Sequence, residues 1–239
     1  MSWKNKLIIA LDVSRADRAL EIVDRLGDYA GAFKVGFELF VGAGPDIVEK
    51  IQKKGKKVFL DLKFHDIPNT VSKAALAATR LGVYMFNVHA TGGLEMMIRC
   101  KDAVDEACAK ERLERPKIIG VTVLTSLENG SLKSELCIQH GVKAHVRHLA
   151  LLALKAGLDG VVASPREIAV IKQNCGREFL VVTPGIRPSW VPPADQKRTA
   201  TPQEAIREGA DYIVMGRGIL KQDDPIKALE LISLEMLSA

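Results

Sequence analysis

Short runs of apolar, β-prone residues alternate with longer amphipathic stretches along the whole chain, and this alternation is the first thing the sequence establishes. Strands are predicted at Leu7–Leu11, Phe33–Gly36, Val58–Leu62, Met85–Val88, Ile118–Leu124, Gly160–Ala163, Phe179–Thr183 and Tyr212–Met215. Helices are predicted between them at Ala16–Leu26, Pro45–Lys54, Val71–Leu81, Leu94–Glu111, Ala144–Ala156 and Pro165–Asn174, with a last one at Pro225–Leu237. Start signals accompany several of these. Ser14 precedes Arg15, and proline follows a capping residue at Ser164-Pro165, Thr201-Pro202 and Asp224-Pro225. Strands that each feed a helix imply a parallel sheet with crossovers, and near-continuous apolar strands imply a sheet covered on both faces. Eight such units in 239 residues predict a single (β/α)8 TIM barrel, α/β in class, occupying residues 1–239 as one domain. The competing doubly wound open sheet calls for a glycine-rich turn after the first strand, and Leu11-Asp12-Val13-Ser14 is not one.

Composition narrows the setting without changing the fold. Apolar residues at 47% and charged residues at 26% are the balance of an ordinary soluble globular protein. No apolar run approaches the roughly 20 residues needed to cross a bilayer, and Leu7–Leu11 is too short for a signal-peptide core, so a cytoplasmic protein with no membrane partner is expected. The net charge of +5 is mild and dispersed, which gives no footprint for nucleic acid. Its densest patch, Lys53-Lys54 with Lys56-Lys57, flanks Gly55 where a helix is predicted to turn into a strand. Cys100, Cys108, Cys137 and Cys175 form neither a redox pair nor zinc spacing. His145 and His148 lie one turn apart on a predicted helix with no carboxylate or cysteine at ligand spacing, and read as helix surface.

The polar residues gather at one end of the predicted barrel. Asp12 ends the first strand, Lys34 lies in the second, and Asp61 and Lys63 end the third, with Asp66 in the turn beyond. Asn87 and His89 end the fourth, Thr122 and Thr125 the fifth, and Ser164 the sixth. Charges are costly on buried strands unless they are paired, so several at the C-terminal ends of neighbouring strands point to one polar pocket, where such barrels carry their chemistry. Gly185 and Arg187 after the seventh strand, and Gly216-Arg217-Gly218 after the eighth, put glycines and guanidinium groups where these barrels hold phosphate. The polar loop from Pro188 to Arg198, which includes Gln196, is long enough to close over a ligand.

Asp61-Leu62-Lys63-Phe64-His65-Asp66-Ile67-Pro68-Asn69-Thr70 resembles the signature of the orotidine 5'-phosphate decarboxylases, in their bacterial form. The resemblance extends along the chain through Leu11-Asp12, Lys34-Val35-Gly36, Asn87-Val88-His89-Ala90, Val121 to Ser126, Thr183 to Pro188 and Gly216-Arg217. It implies metal-free and cofactor-free decarboxylation of orotidine 5'-monophosphate to UMP by a homodimer. Lys34, Asp61, Lys63 and Asp66 would form an alternating charge network, with Asp66 supplied by the partner subunit and Lys63 donating the proton. Asp12 and Lys34 would hold the ribose hydroxyls, Thr70 would reach across the dimer, and Thr125 would hydrogen-bond the pyrimidine. Arg187, Gln196, Gly216 and Arg217 would gather the phosphate, with Gln196 bridging the loop and the base. Two other readings compete. The related sugar-phosphate enzymes share the Asp-x-Lys-x-x-Asp core but use magnesium and carry an acidic residue where Lys34 stands. A noncatalytic phosphate-binding barrel would gain little from like charges packed together.

Overall fold

Eight parallel strands hydrogen-bond in sequence order and close on themselves, β8 returning to pair with β1. In the computed structural model, which describes residues 3–191 and 199–239, the strands are β1 Leu7–Ala10, β2 Ala32–Gly36, β3 Val58–Phe64, β4 Met85–His89, β5 Lys117–Val121, β6 Gly160–Val162, β7 Leu180–Thr183 and β8 Tyr212–Met215. All eight predicted strands are present. The fifth is shorter than expected, because beyond Val121 the chain turns to build the rim of the barrel mouth. The third is longer, running to Phe64 through an irregularity described below.

Strand alternation divides the apolar residues into two layers. One set, including Leu7, Ile9, Phe33, Val35, Leu60 and Phe86, faces the helices and forms the larger core. The other, including Ile8, Ala32, Phe59, Met85, Ile119, Val182, Tyr212 and Val214, fills the barrel interior. At the N-terminal end the interior is closed by a hydrogen bond of 2.7 Å between the hydroxyls of Tyr84 and Tyr212. The interior is thus a packed core, and the polar pocket lies at the opposite end.

The helices follow the amphipathic stretches with local revisions. The third predicted helix begins at Pro68, proline being favoured in a first turn, and runs to Arg80. The stretch predicted as one helix from Pro165 starts as a 3-10 turn, Pro165–Glu167, before the helix Ile168–Cys175. Short helices at Trp3–Lys6, Phe37–Ala43, Asn129–Ser134 and Arg217–Leu220 were not expected, since a single turn or two carries little periodic signal, and Pro202–Arg207 was marked only by its Thr201-Pro202 start. Three predicted caps form. Ser164 accepts from the Arg166 N–H, Thr201 and Glu204 make a reciprocal capping box, and Asp224 accepts from the N–H groups of Ile226 and Lys227. Ser14 is not a cap: Arg15 occupies that position, without a side-chain bond to the helix. The lysine patch resolves into ion pairs, Lys53 with Glu49, Lys54 with Asp24 and Lys56 with Asp28, around Gly55 at φ +72°. Among the described residues no helix is long and apolar enough to cross a membrane.

Candidate active site

The interior-facing positions of the strands, followed toward their C-terminal ends, turn from apolar to polar two residues on. Ala10 leads to Asp12, Ala32 to Lys34, Phe59 to Asp61, Met85 to Asn87 and Val214 to Gly216. The period of two thus places the polar groups over the top of the barrel's own core without disturbing it. They meet there in a chain of contacts. The Lys34 ammonium donates to Asp12 Oδ1 at 2.9 Å and lies 3.4 Å from Asp61 Oδ2. The Lys63 ammonium donates to the other Asp61 oxygen, Oδ1, at 2.7 Å. Asp61 is therefore held between two ammonium groups, one on each oxygen.

Burial is the largest influence on the Lys34 ammonium and pulls its pKa down. The carboxylates of Asp61 and Asp12 together outweigh it and hold the group above its ordinary value. Burial also pushes Asp61 up, but Lys34, Lys63 and the Asn87 amide outweigh it and keep the carboxyl below its ordinary value. Each group thus keeps its charge through its partners against the opposing pull of burial. A small residue is needed beside them: a Cβ at Gly36 would lie 3.0 Å from Lys34 Nζ.

Lys63 reaches this position through an irregular strand. The ladder pairs Leu60 with Phe86 and then Phe64 with Val88, so four steps along β3 oppose two along β4. Lys63 sits in this bulge at φ +45°, a left-handed conformation rare for a residue with a side chain. Its backbone N–H donates to Asn87 Oδ1 at 2.8 Å, and Asn87 Nδ2 donates to Asp61 Oδ1 at 2.7 Å.

Two adjoining cavities open beside these charges. One, of about 180 Å³, is lined by Lys34, Asp61, Lys63 and Thr125 on one side and by Phe59, Val121, Val162, Val182, Pro184 and Val214 elsewhere. It has the character of a slot for a flat ring with a polar edge. The other, of about 160 Å³, is lined by Asp12, Lys34, Gly185, Arg187, Gly216, Arg217 and Gly218. It offers two guanidinium groups and glycine backbone to an anion. Gly185 is at φ +80°, a turn that an L side chain would strain. Lys34, Pro184 and Val214 line both cavities, so one ligand can span them.

Of the residues singled out by sequence, Asp12, Lys34, Asp61, Lys63, Thr125, Arg187, Gly216 and Arg217 come together here. Asp66 and Thr70 do not. Asp66 is exposed and accepts from the Ile67 N–H at 2.6 Å, and Thr70 is exposed in the first turn of the helix Pro68–Arg80. Gln196 lies outside the described residues, with Pro192, Pro193 and Arg198. Ser164 is buried in its capping turn, and Thr122 donates to the Val162 carbonyl at 2.8 Å. His65 and His89 sit beside the site with ring centroids 5.3 Å apart. Burial, then His65, then Lys63, push the His89 pKa down. His145 and His148 stack on their helix, and among the described residues no three metal-ligating side chains cluster. Sequence reasoning passed over the valine wall of the first cavity, because its residues read as core. Their inward parity, one step below the polar ring, was the available signal.

Residues 5–232 match the family model described as orotidine 5'-phosphate decarboxylase / HUMPS. The chain is 52% identical over 236 residues to an orotidine 5'-phosphate decarboxylase of Moorella thermoacetica, covering 99% of this chain and 94% of the relative. It is 50% identical to that of Geobacter sulfurreducens, covering 98% and 97% of the two chains. The crystal structure of orotidine 5'-phosphate decarboxylase from Lactobacillus acidophilus superposes with a TM-score of 0.84 at 40% identity, covering 96% of this chain and 98% of that one. Barrel, paired charges, twin cavities and these likenesses agree, and the chain belongs to the orotidine 5'-phosphate decarboxylase / HUMPS family.

Proposed function

We propose that this protein decarboxylates orotidine 5'-monophosphate to UMP and carbon dioxide without a metal or organic cofactor, as a cytoplasmic homodimer serving pyrimidine synthesis. The observation that carries the proposal is Asp61 held between the Lys34 and Lys63 ammonium groups at the edge of an apolar slot. The arginine-lined cavity beside it accepts the 5'-phosphate through Arg187, Arg217 and the Gly216 backbone, with Gln196 as the expected link from loop to base. Lys34, at the junction of the two cavities, and Asp12, bonded to it, hold the ribose hydroxyls, and Thr125 bonds the pyrimidine edge.

Loss of carbon dioxide breaks the bond from the carboxylate to the ring and leaves its electron pair on a ring carbon with no neighbouring electron sink. A fixed ammonium in a pocket poor in water stabilises that developing charge better than bulk solvent does. The Lys63 ammonium then gives its proton to the same carbon, completing UMP, and is recharged from solvent. Asp61, placed near the substrate carboxylate, also raises the energy of the bound ground state, an effect secondary to stabilising the carbanion. Because the reaction lacks a cofactor, the site must supply barrier lowering toward the upper end of the roughly 8–23 kcal/mol typical of enzymes. Energy from the phosphate grip contributes by holding the ring in place.

The partner subunit supplies Asp66 and Thr70. In support, both are exposed, as are the apolar side chains of Ile67, next to Asp66 in the sequence, and of Phe37 and Val41 on the helix Phe37–Ala43. The Phe37 ring also lies 5.5 Å from Lys63 Nζ, so this helix adjoins the site. The magnesium-dependent sugar-phosphate reaction is disfavoured because Lys34, an ammonium bonded to two carboxylates, stands where those enzymes need an acid.

The test follows the ultraviolet band of orotidine 5'-monophosphate with purified protein and EDTA, beside Lys63→Ala. Loss of the band with wild type and its persistence with the variant is the expected result. An unchanged spectrum with folded wild-type dimer, or activity that requires added magnesium, would overturn the proposal.

A further inference from the structure

We infer that Asn87 is a positioning residue for the reaction, fixing the Lys63 ammonium against Asp61 by bridging the bulged backbone of one and the carboxylate of the other. The inference rests on the decarboxylase reading above and adds to it a residue that touches neither substrate nor reacting atoms.

A lysine at φ +45° is held only where its surroundings over-determine it. The bulge between Leu60 and Phe64 removes β3 from the β4 ladder just where Lys63 lies, so its N–H lacks the strand partner it would otherwise have. Asn87 faces that gap, on β4 between Phe86 and Val88, the residues that pair with β3 on either side of the irregularity. Its Oδ1 takes the Lys63 N–H at 2.8 Å and its Nδ2 gives to Asp61 Oδ1 at 2.7 Å. The same Asp61 oxygen accepts the Lys63 ammonium at 2.7 Å. Asn87, Asp61 and Lys63 thus close a ring in which the amide sets where the lysine backbone leaves the strand and where its side chain ends.

Chemistry restricts which side chain can do this. One end must accept from a backbone N–H and the other must donate to a carboxylate, which only a short amide does at this reach. An aspartate would place a second carboxylate against Asp61, and an alanine would leave a buried N–H unsatisfied. Asn87 is only 1% exposed, so water does not readily substitute for it. The charged groups facing it are Asp61 and Lys63, with Lys34 on the far oxygen of Asp61, and His89, two residues along the same strand, acts electrostatically on both Asp61 and Lys63, so each variant is read against wild type at the same pH.

The experiment measures kcat, KM and UMP affinity on orotidine 5'-monophosphate for wild type, Asn87→Ala and Asn87→Asp from pH 5 to 8, with folding followed by circular dichroism. In Asn87→Ala, kcat falls about 100-fold, the scale on which small misplacements act, while KM and UMP affinity stay within about threefold. In Asn87→Asp, protonating the introduced carboxyl restores a donor to Asp61, so its activity relative to wild type rises as pH falls. If Asn87→Ala is too unstable to assay, the near-isosteric Asn87→Asp and its pH profile decide alone. Wild-type turnover with kcat per folded site and pH profiles unchanged in both variants would overturn the positioning role and leave the decarboxylase reading standing. Failure of wild type to turn over the substrate would overturn both.

Discussion

Replacing Asp61 by asparagine removes the anion that lets two ammonium groups share one buried pocket. At an effective dielectric near 20, the separations of 2.7 Å to Lys63 and 3.4 Å to Lys34 correspond to gross attractions of roughly 6 and 5 kcal/mol. Most of that offsets the cost of withdrawing the charges from water. Removing one partner of a buried pair typically costs about 3–5 kcal/mol. Asparagine keeps an acceptor for Lys63, and Lys34 keeps Asp12, so the lower end, about 3 kcal/mol, applies. For a chain of this size that lowers Tm by about 6–12 °C. The lysines respond in a definite direction: with Asp61 neutral, burial gains on the remaining Asp12 attraction and the Lys34 pKa falls. Because the carboxyl of Asp61 is held below its ordinary value, its contribution to stability is present above the unfolded carboxylate range and is lost as pH falls through the folded value. The wild type therefore loses this increment on acidification, whereas Asp61→Asn has none to lose. Calorimetry from pH 7.5 down to below the ordinary carboxylate range, beside steady-state kinetics at pH 7.5, reads both effects, and kcat should fall by at least about 100-fold. A variant melting within 2 °C of wild type at pH 7.5, or turning over within threefold of it, would refute the reasoning.

Three further perturbations have directions set by the structure. Gly36→Ala puts a methyl 3.0 Å from Lys34 Nζ, so kcat/KM should fall about tenfold in kinetic assays while Tm changes little, and unchanged kinetics would count against the tight fit. Arg217→Ala should raise KM for the nucleotide about 100-fold yet leave turnover of the unphosphorylated nucleoside unaltered, since the lost contact serves the phosphate. His89, held below its ordinary pKa by burial, His65 and Lys63, binds its proton more weakly folded than unfolded. Wild type should therefore lose stability as pH falls from about 7 to 5, and His89→Gln should flatten that slope in urea titrations.

The barrel was legible because both of its periodicities are strong. Strands such as Leu7–Ala10 and Tyr212–Met215 are apolar on both faces, as a sheet between a packed interior and a helical layer requires. The polar ends were legible for the same reason: Asp12, Lys34 and Asp61 interrupt runs that have no other cause to carry charge. What the sequence hid was local geometry. Nothing in Leu60-Asp61-Leu62-Lys63-Phe64 announces a bulge with Lys63 at positive φ, since the conformation depends on Asn87 from the neighbouring strand, 24 residues away. The short helices Phe37–Ala43 and Pro202–Arg207 are likewise held by the barrel wall they cover, and offered too few turns for a periodic signal. Thr70 was singled out by family likeness alone and Asp66 also as a further charge in the turn after β3, and within one chain both stand apart from the pocket.

Proton transfer at Lys63 is the centre of the account, and the reverse step isolates it. The group that delivers a proton to the ring carbon also removes it, so UMP incubated with the protein in deuterium oxide should exchange that one ring hydrogen, followed by proton magnetic resonance. Exchange with wild type and none with Lys63→Ala, at matched UMP occupancy, is the predicted result. Equal exchange in both proteins would show that another group handles the proton and would contradict the central claim.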